Sequence, residues 1–305
     1  MSCPSALLLL LGFLARGRGD VVGRHQSLPE CRAFFHQGEP PSGFVGPSQS
    51  HLCQRLDGKA YYATLFDRAG RLPVYSAFVY KHKAQGDVRQ KGVDRTWKYE
   101  PQLGDPRADG NMRAISTEAL RDPAVLRSQA VGGGAGAYPM RLGAEGTTYV
   151  RGLLSPSRFG GSRAARSSAY SVTNAVAYPR RFHHASWKPA MQRVARQVEE
   201  VCGGQRVYMV AGSVRGQRGR ESWAPAKGKG RAAIPVNLWM AYCCENGASG
   251  ATVGRCGDSR PPALPSLNLA PGTAQEFGVG ELEAALTQYL AHGTVQIFKG
   301  GCAPL

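Results

Sequence analysis

The cysteines constrain this chain more than any other feature, because of what precedes them. Cys31, Cys53, Cys202, Cys243, Cys244, Cys256 and Cys302 all follow an apolar leader, Ala6–Leu14 (ALLLLLGFL), which is trailed by Arg16 and Arg18. The run is nine residues long, whereas a bilayer-spanning helix needs roughly 20. It reads as the hydrophobic core of a secretory signal peptide cleaved near Arg16 to Asp20, which would remove Cys3. Residues 1–20 are therefore expected to be a signal peptide. Residues 21–305 are expected to form a secreted protein without a membrane span.

In an oxidising compartment thiols pair. Cys31, Cys53, Cys202, Cys243, Cys244 and Cys302 are the expected staples, and the odd total leaves one cysteine unpaired or intermolecular. A local Cys31–Cys53 bridge would close a loop of about 22 residues and contribute roughly 3 kcal/mol. Zinc is excluded on spacing, since the chain has no Cys-x-x-Cys pair.

Thirty-eight Lys and Arg face 21 Asp and Glu, a formal charge of +17. Such a field attracts polyanions: nucleic acid, heparan-type glycans or anionic lipid. It is equally compatible with solubility alone.

Tyr61–Phe66 and Val74–Tyr80 are β-rich runs flanking a turn with Gly70, which is a hairpin signature. Residues 81–146 are polar and Gly-rich, and read as surface connection with short elements. Ser168–Val176 reads as a buried strand. Trp187, Met191, Val194, Val198 and Val201 recur at spacings of four and three, which predicts an amphipathic helix with Ser186 as N-cap. Val207–Val214 and Ile234–Cys244 read as core strands, and Leu282, Leu286 and Leu290 predict a terminal helix stopping at Gly293. These elements predict one α+β domain around a central mixed or antiparallel sheet. Between the two core strands lies a loop with Arg215, Arg218, Arg220, Lys227, Lys229 and Arg231 among glycines, and Trp223 inside it. The cations could track a phosphate backbone and Trp223 could stack a base; a solvated loop is the other reading.

Several segments, taken in order, resemble the endonuclease domain-containing 1 protein family, a secreted branch of the DNA/RNA non-specific endonucleases. They are Cys31–Phe35 (CRAFF) with Pro40 and Pro41, Cys53–Arg55, Ala63–Leu65, Pro73–Phe78 (PVYSAF) and Tyr99–Gln102. Val172–Asn174, Val207–Gly212, Pro235–Trp239, the Cys243–Cys244 pair and Cys302 complete the set. The resemblance implies a ββα-metal core. In that core a histidine of an Asp-Arg-Gly-His motif deprotonates water, and an Asn on the following helix holds one Mg²⁺.

This chain departs from that pattern where the chemistry resides. The motif reads Val150-Arg151-Gly152-Leu153, so the base position holds a leucine, which accepts no proton at any pH. The Asn position, four residues before Trp187, holds His183, whose nitrogen suits Zn²⁺ or Ni²⁺ better than Mg²⁺. His183 and His184 are either substitute catalytic groups or exposed loop histidines. Arg151 is either a phosphate contact or a structural ion-pair partner, and Asn174 bonds either backbone or substrate. Three functions follow as expectations. The first is a nuclease-family protein that binds nucleic acid or another polyanion without cutting it. The second is a metal-dependent endonuclease using His183 or His184, and the third is an extracellular glycan- or protein-binding module.

Overall fold

Eight strands form one sheet in which every neighbour is antiparallel. The computed structural model describes residues 21–22, 29–81, 92–130, 140–142, 146–216, 223–224, 231–257 and 264–303. The leader expected at residues 1–20 lies outside them. In chain order the strands used below are β1 (Val21–Val22), β2 (Gln49–Leu56), β3 (Lys59–Asp67), β4 (Leu72–Lys81), β5 (Thr147–Leu153) and β6 (Ala175–Pro179). They continue with β7 (Arg206–Arg215), β8 (Pro235–Cys244), β9 (Ser249–Arg255) and β10 (Ala274–Phe277). The large sheet runs β1-β2-β3-β4-β7-β8-β9-β10. The α+β class holds, and the sheet is antiparallel rather than mixed. β5 and β6 pair with each other in a separate small sheet, within the long connection from β4 to β7.

Both faces of the large sheet are buried, so alternate residues of a central strand enter different cores. From β8, Trp239, Ala241 and Cys243 join one cluster with Tyr75, Tyr208 and Phe44. Leu238, Met240, Tyr242 and Cys244 join the other with Phe78, Met209 and Tyr178. Helix α1 (Lys188–Val201) covers the second face with Met191, Val194 and Val198, and helix α2 (Val279–Leu290) covers the first with Leu282 and Leu286. Gly212 makes room for Trp239 on the neighbouring strand, because a Cβ there would lie 1.9 Å from Cζ2 of the indole.

The three disulfides follow this two-sidedness. Cys31–Cys53 is the local bridge expected. The adjacent Cys243 and Cys244 point to opposite faces. Cys244 bonds Cys202 at the end of α1, and Cys243 bonds Cys302 in the C-terminal tail. Cys256 is the odd one: it is unpaired, 3% exposed, and its thiol is pushed well up by burial. So deep a thiol is not placed for an intermolecular bond. Among the described residues no helix is long and apolar enough to cross a membrane.

Several sequence expectations need correction. Ser168–Val176 is not one strand: it spans the end of a short helix (Arg163–Ser168), a 3-10 turn (Val172–Asn174) and the start of β6. Hydroxyl side chains win there, since Ser171 caps the turn by accepting from Thr173 N–H. Ser186 is not an N-cap. The helix begins earlier, at Arg180, passes through a π turn at His183–Trp187, and leaves Ser186 to donate to the Gly272 carbonyl at 2.6 Å. α2 stops at Ala291, which adopts a left-handed φ of 53°, before Gly293 is reached. Strands β2 and β9 fell in stretches with no strand reading.

Removing the Cys202–Cys244 bridge as Cys202→Ala/Cys244→Ala is expected to lower unfolding stability by about 3 kcal/mol, the scale for closing a loop of several tens of residues. Denaturant unfolding under non-reducing conditions measures it.

Candidate functional site

β5, β6 and the helix that follows build a ββα unit. The two strands pair antiparallel with Val150 opposite Tyr178, Arg151 opposite Ala177, Gly152 opposite Val176 and Leu153 opposite Ala175. β6 then runs into Arg180 without a loop, and the π turn and α1 complete the helix. Phe182 and Trp187 anchor its start by stacking at 6.1 Å over Gly254 of β9, where a Cβ would lie 2.7 Å from the Phe182 ring.

Opposed residues share a face, so Val150, Gly152 and Tyr178 lie on one side of the hairpin and Arg151 and Leu153 on the other. The Tyr178 ring fills the space over Gly152: its hydroxyl lies 1.7 Å from where a Cβ would stand. Glycine is thus required at this motif position for packing. His183 stacks on the far side of Tyr178, with centroids 5.2 Å apart and planes at 13°, and meets His184 edge-on at 5.0 Å. Its Nδ1 is buried and has no hydrogen-bond partner. Burial first, then the charges of His184 and Lys188, lower the His183 pKa to about 4. His184 itself is exposed.

Arg151 lays its guanidinium over the Trp97 ring at 4.9 Å, a cation–π contact that fixes it against the segment covering the other hairpin face. Leu153 lies beside it on that face, half-buried. The structure thus sets His183 against Tyr178 and Arg151 against Trp97.

Asn174 makes the internal hydrogen bonds of its backbone reading, with Ser76 Oγ as a further partner. It is fully buried, and each end of its amide is used internally. Its Oδ1 accepts from Ser155 N–H at 2.9 Å and from Ser76 Oγ at 3.1 Å. Its Nδ2 donates to the carbonyls of Ser155 at 3.0 Å and Ala169 at 2.9 Å. Asn174 thus ties the turn after the motif strand to β4 in the large sheet.

Of the expected cationic loop, the described members are already engaged. Arg215 ends β7 and pairs with Asp67, whose carboxylate also accepts from Ser48 Oγ at 2.6 Å. Trp223 forms a two-strand pairing with Ala233 and packs against the second core, with the Arg231 guanidinium 4.6 Å from its ring. Trp223 is thus a partly buried side chain packed against the core. Arg218, Arg220, Lys227 and Lys229 lie outside the described residues. The sequence reading missed a different group of cations: Arg180, Arg181 and Lys188 stand exposed with His184 along the start of the helix. A helix-start boundary placed at Trp187 hid their common element.

The sequence of the whole unit settles its kinship. A model of the DNA/RNA non-specific endonuclease family matches residues 46–299. The chain belongs to the DNA/RNA non-specific endonuclease family. It is 28% identical to the human endonuclease domain-containing 1 protein over 251 residues, covering 82% of this chain and 45% of that relative. Against the mouse endonuclease domain-containing 1 protein it is 27% identical over 254 residues, covering 81% and 45%. The chain thus spans somewhat under half the length of these curated relatives. A solved chain from the crystal structure of the EndoG/EndoGI complex, on the mechanism of EndoG inhibition, aligns with a TM-score of 0.45 and 12% identity. That alignment covers 76% of this chain and 84% of the other.

Non-specific endonucleases of this family are generally metal-dependent, and the residues here do not fit such an ion. Mg²⁺ demands oxygen donors. His183 is instead surrounded by an aromatic ring, a second imidazole and an ammonium, with its Nδ1 turned into the protein. Among the described residues no three His, Cys, Asp or Glu side chains converge as a metal-holding group.

Two outcomes follow. Asn174→Ala is expected to cost about 2–4 kcal/mol by stranding buried backbone partners, measured by denaturant unfolding. For His183 the folded pKa is depressed, so between pH 6.5 and about 4 the unfolded chain binds the extra proton. Stability is therefore expected to fall as pH drops through that window, by about 1 kcal/mol after discounting for its partial exposure. His183→Phe, which keeps the stack, should flatten this part of the profile in thermal melts from pH 7 to 4.

Proposed function

We propose that this protein binds nucleic acid through its phosphates and does not hydrolyse it. One observation carries the reading: in a chain that belongs to this nuclease family, the residue at the position the motif gives to the base is Leu153. General-base catalysis is worth roughly 10²–10⁴ in rate, and neither histidine of the helix is held against Arg151 or Leu153. His183, with its pKa near 4, is a weak base even though it stays neutral at physiological pH. The imidazole of His183, at the position where the resemblance puts an amide oxygen for Mg²⁺, supports the same reading. The charge of +17 supports a polyanionic partner, and family membership favours nucleic acid among the polyanions.

The leader at residues 1–20 and the three disulfides support an extracellular setting. There a protein of this kind would hold released DNA or RNA and leave its length unchanged.

Supercoiled plasmid incubated with Mg²⁺, Mn²⁺ and Zn²⁺ in turn tests the reading. No nicking above the buffer rate is expected with any ion. Nicking by the purified protein that disappears in His183→Ala would overturn it in favour of a metal-dependent endonuclease. Tight heparin binding, with no retention of DNA at matched charge, would overturn it in favour of a glycan-binding module. Val150→Asp, Leu153→His and His183→Asn together, in protein shown by melting to be folded, are expected to raise Mg²⁺-dependent nicking at least tenfold over the unmodified chain.

A further inference from the structure

Several arginines of the described surface meet carboxylates, while others, Arg121 and Arg196 among them, are exposed without one; what sets one group apart is its clustering within nine residues at the start of the long helix. Arg193 meets Glu276, Arg206 meets Glu245, Arg55 meets Glu30 and Arg215 meets Asp67. Arg180, Arg181, His184 and Lys188 are all exposed, and among the described residues none of them meets a carboxylate. Three of them recur every fourth residue: Arg180, His184 and Lys188. The π turn at His183–Trp187 winds more slowly than an α-helix, so residues four apart there keep close to one face. The field they make is felt by their neighbour, since His184 and Lys188 add to burial in keeping the His183 imidazole uncharged.

In a metal-dependent nuclease the charge on the phosphate is met by a divalent ion. Here an imidazole, His183, stands where the resemblance puts the amide oxygen that would hold that ion, while side-chain cations stand at the same end of the same helix. We infer that Arg180, Arg181, His184 and Lys188 form a phosphate track for a nucleic acid strand, in which side-chain charge takes over the neutralising role of the metal. Binding is then independent of divalent ions, non-specific in sequence and steeply dependent on salt. This inference rests on the reading that the protein binds nucleic acid.

The experiment is fluorescence anisotropy with a short labelled DNA duplex and the purified protein, in EDTA and in Mg²⁺, across about 50–200 mM salt. Affinity in EDTA is expected to match or exceed that in Mg²⁺. Each neutralised contact lowers the slope of log K against log salt by about 0.9, so Arg180→Gln/Arg181→Gln/Lys188→Gln is expected to lower it by about 2 to 3. Arg193→Gln, a paired cation on the same helix, should change affinity less than threefold. The three single variants, each expected to lower the slope by about 0.9, serve if the triple variant melts early. Binding that is lost in EDTA overturns the inference and leaves nucleic-acid binding intact. So does a tenfold gain in Mg²⁺, or an unchanged slope in the triple variant. An Arg193→Gln effect as large as the triple variant's overturns it too, because net charge alone would then account for binding. No binding to the duplex under either condition removes both readings.

Discussion

A strand buried on both sides must satisfy two cores at once, and strand Pro235–Cys244 sets the terms for the whole molecule. Its side chains alternate between faces, so each neighbour's identity is fixed by parity: Trp239 needs Gly212 beside it, while Met240 one step on packs against the opposite layer. The consecutive Cys243 and Cys244 follow the same rule. Two adjacent thiols cannot serve the same face of a strand, so they fasten the tail to one side and the long helix to the other. The ββα unit is positioned by this arrangement, because its helix has nowhere to lie except across the second face.

Within that unit the residues at the motif positions pack or carry charge. Leucine stands at the proton-accepting position, and Arg151 is held on Trp97. A tyrosine ring fills the space between Gly152 and His183. The glycine of the motif is required by that ring, so packing alone is enough to hold this part of the family signature in place. Fold and function separate here at the level of individual atoms.

Much of the fold could be read from the residues. Val207–Val214 and Ile234–Cys244 are continuous apolar runs bounded by turn formers, the pattern of strands buried on both faces, and the 4-3-4-3 spacing of Trp187 to Val201 admits only a helix. What escaped has physical reasons. Strand Gln49–Leu56 is largely polar because Ser50 and Gln54 feed buried hydrogen-bond networks, Gln54 bonding Thr173 at 2.8 Å. Strand Ser249–Arg255 carries Gly250 and Gly254 where the rings of Tyr242, Phe182 and Trp187 press close, so small residues stand where strand formers would be read. The π turn shifts the helix phase and conceals that Arg180 and Lys188 share an element. For the site, the leucine at position 153 was legible at once, because its side chain accepts no proton. The placement of Asn174, Trp223 and Arg215 was not, since Asn174 bonds Ser76 and Arg215 pairs with Asp67, about 100 and 150 residues away, and Trp223 packs against a core drawn from much of the chain.

The long helix is clamped at both ends. Phe182 and Trp187 seat its beginning over Gly254, and Cys202 rivets its finish to Cys244 at the end of strand Pro235–Cys244. A rod held in this way cannot bend to suit what touches it, so the positive groups along its first turns act as a ruler of fixed gradations. Little ordering is left to be done on the protein's side when a ligand arrives. A regularly spaced chain of negative charges can register with such a ruler, whereas an irregular one of equal total charge cannot.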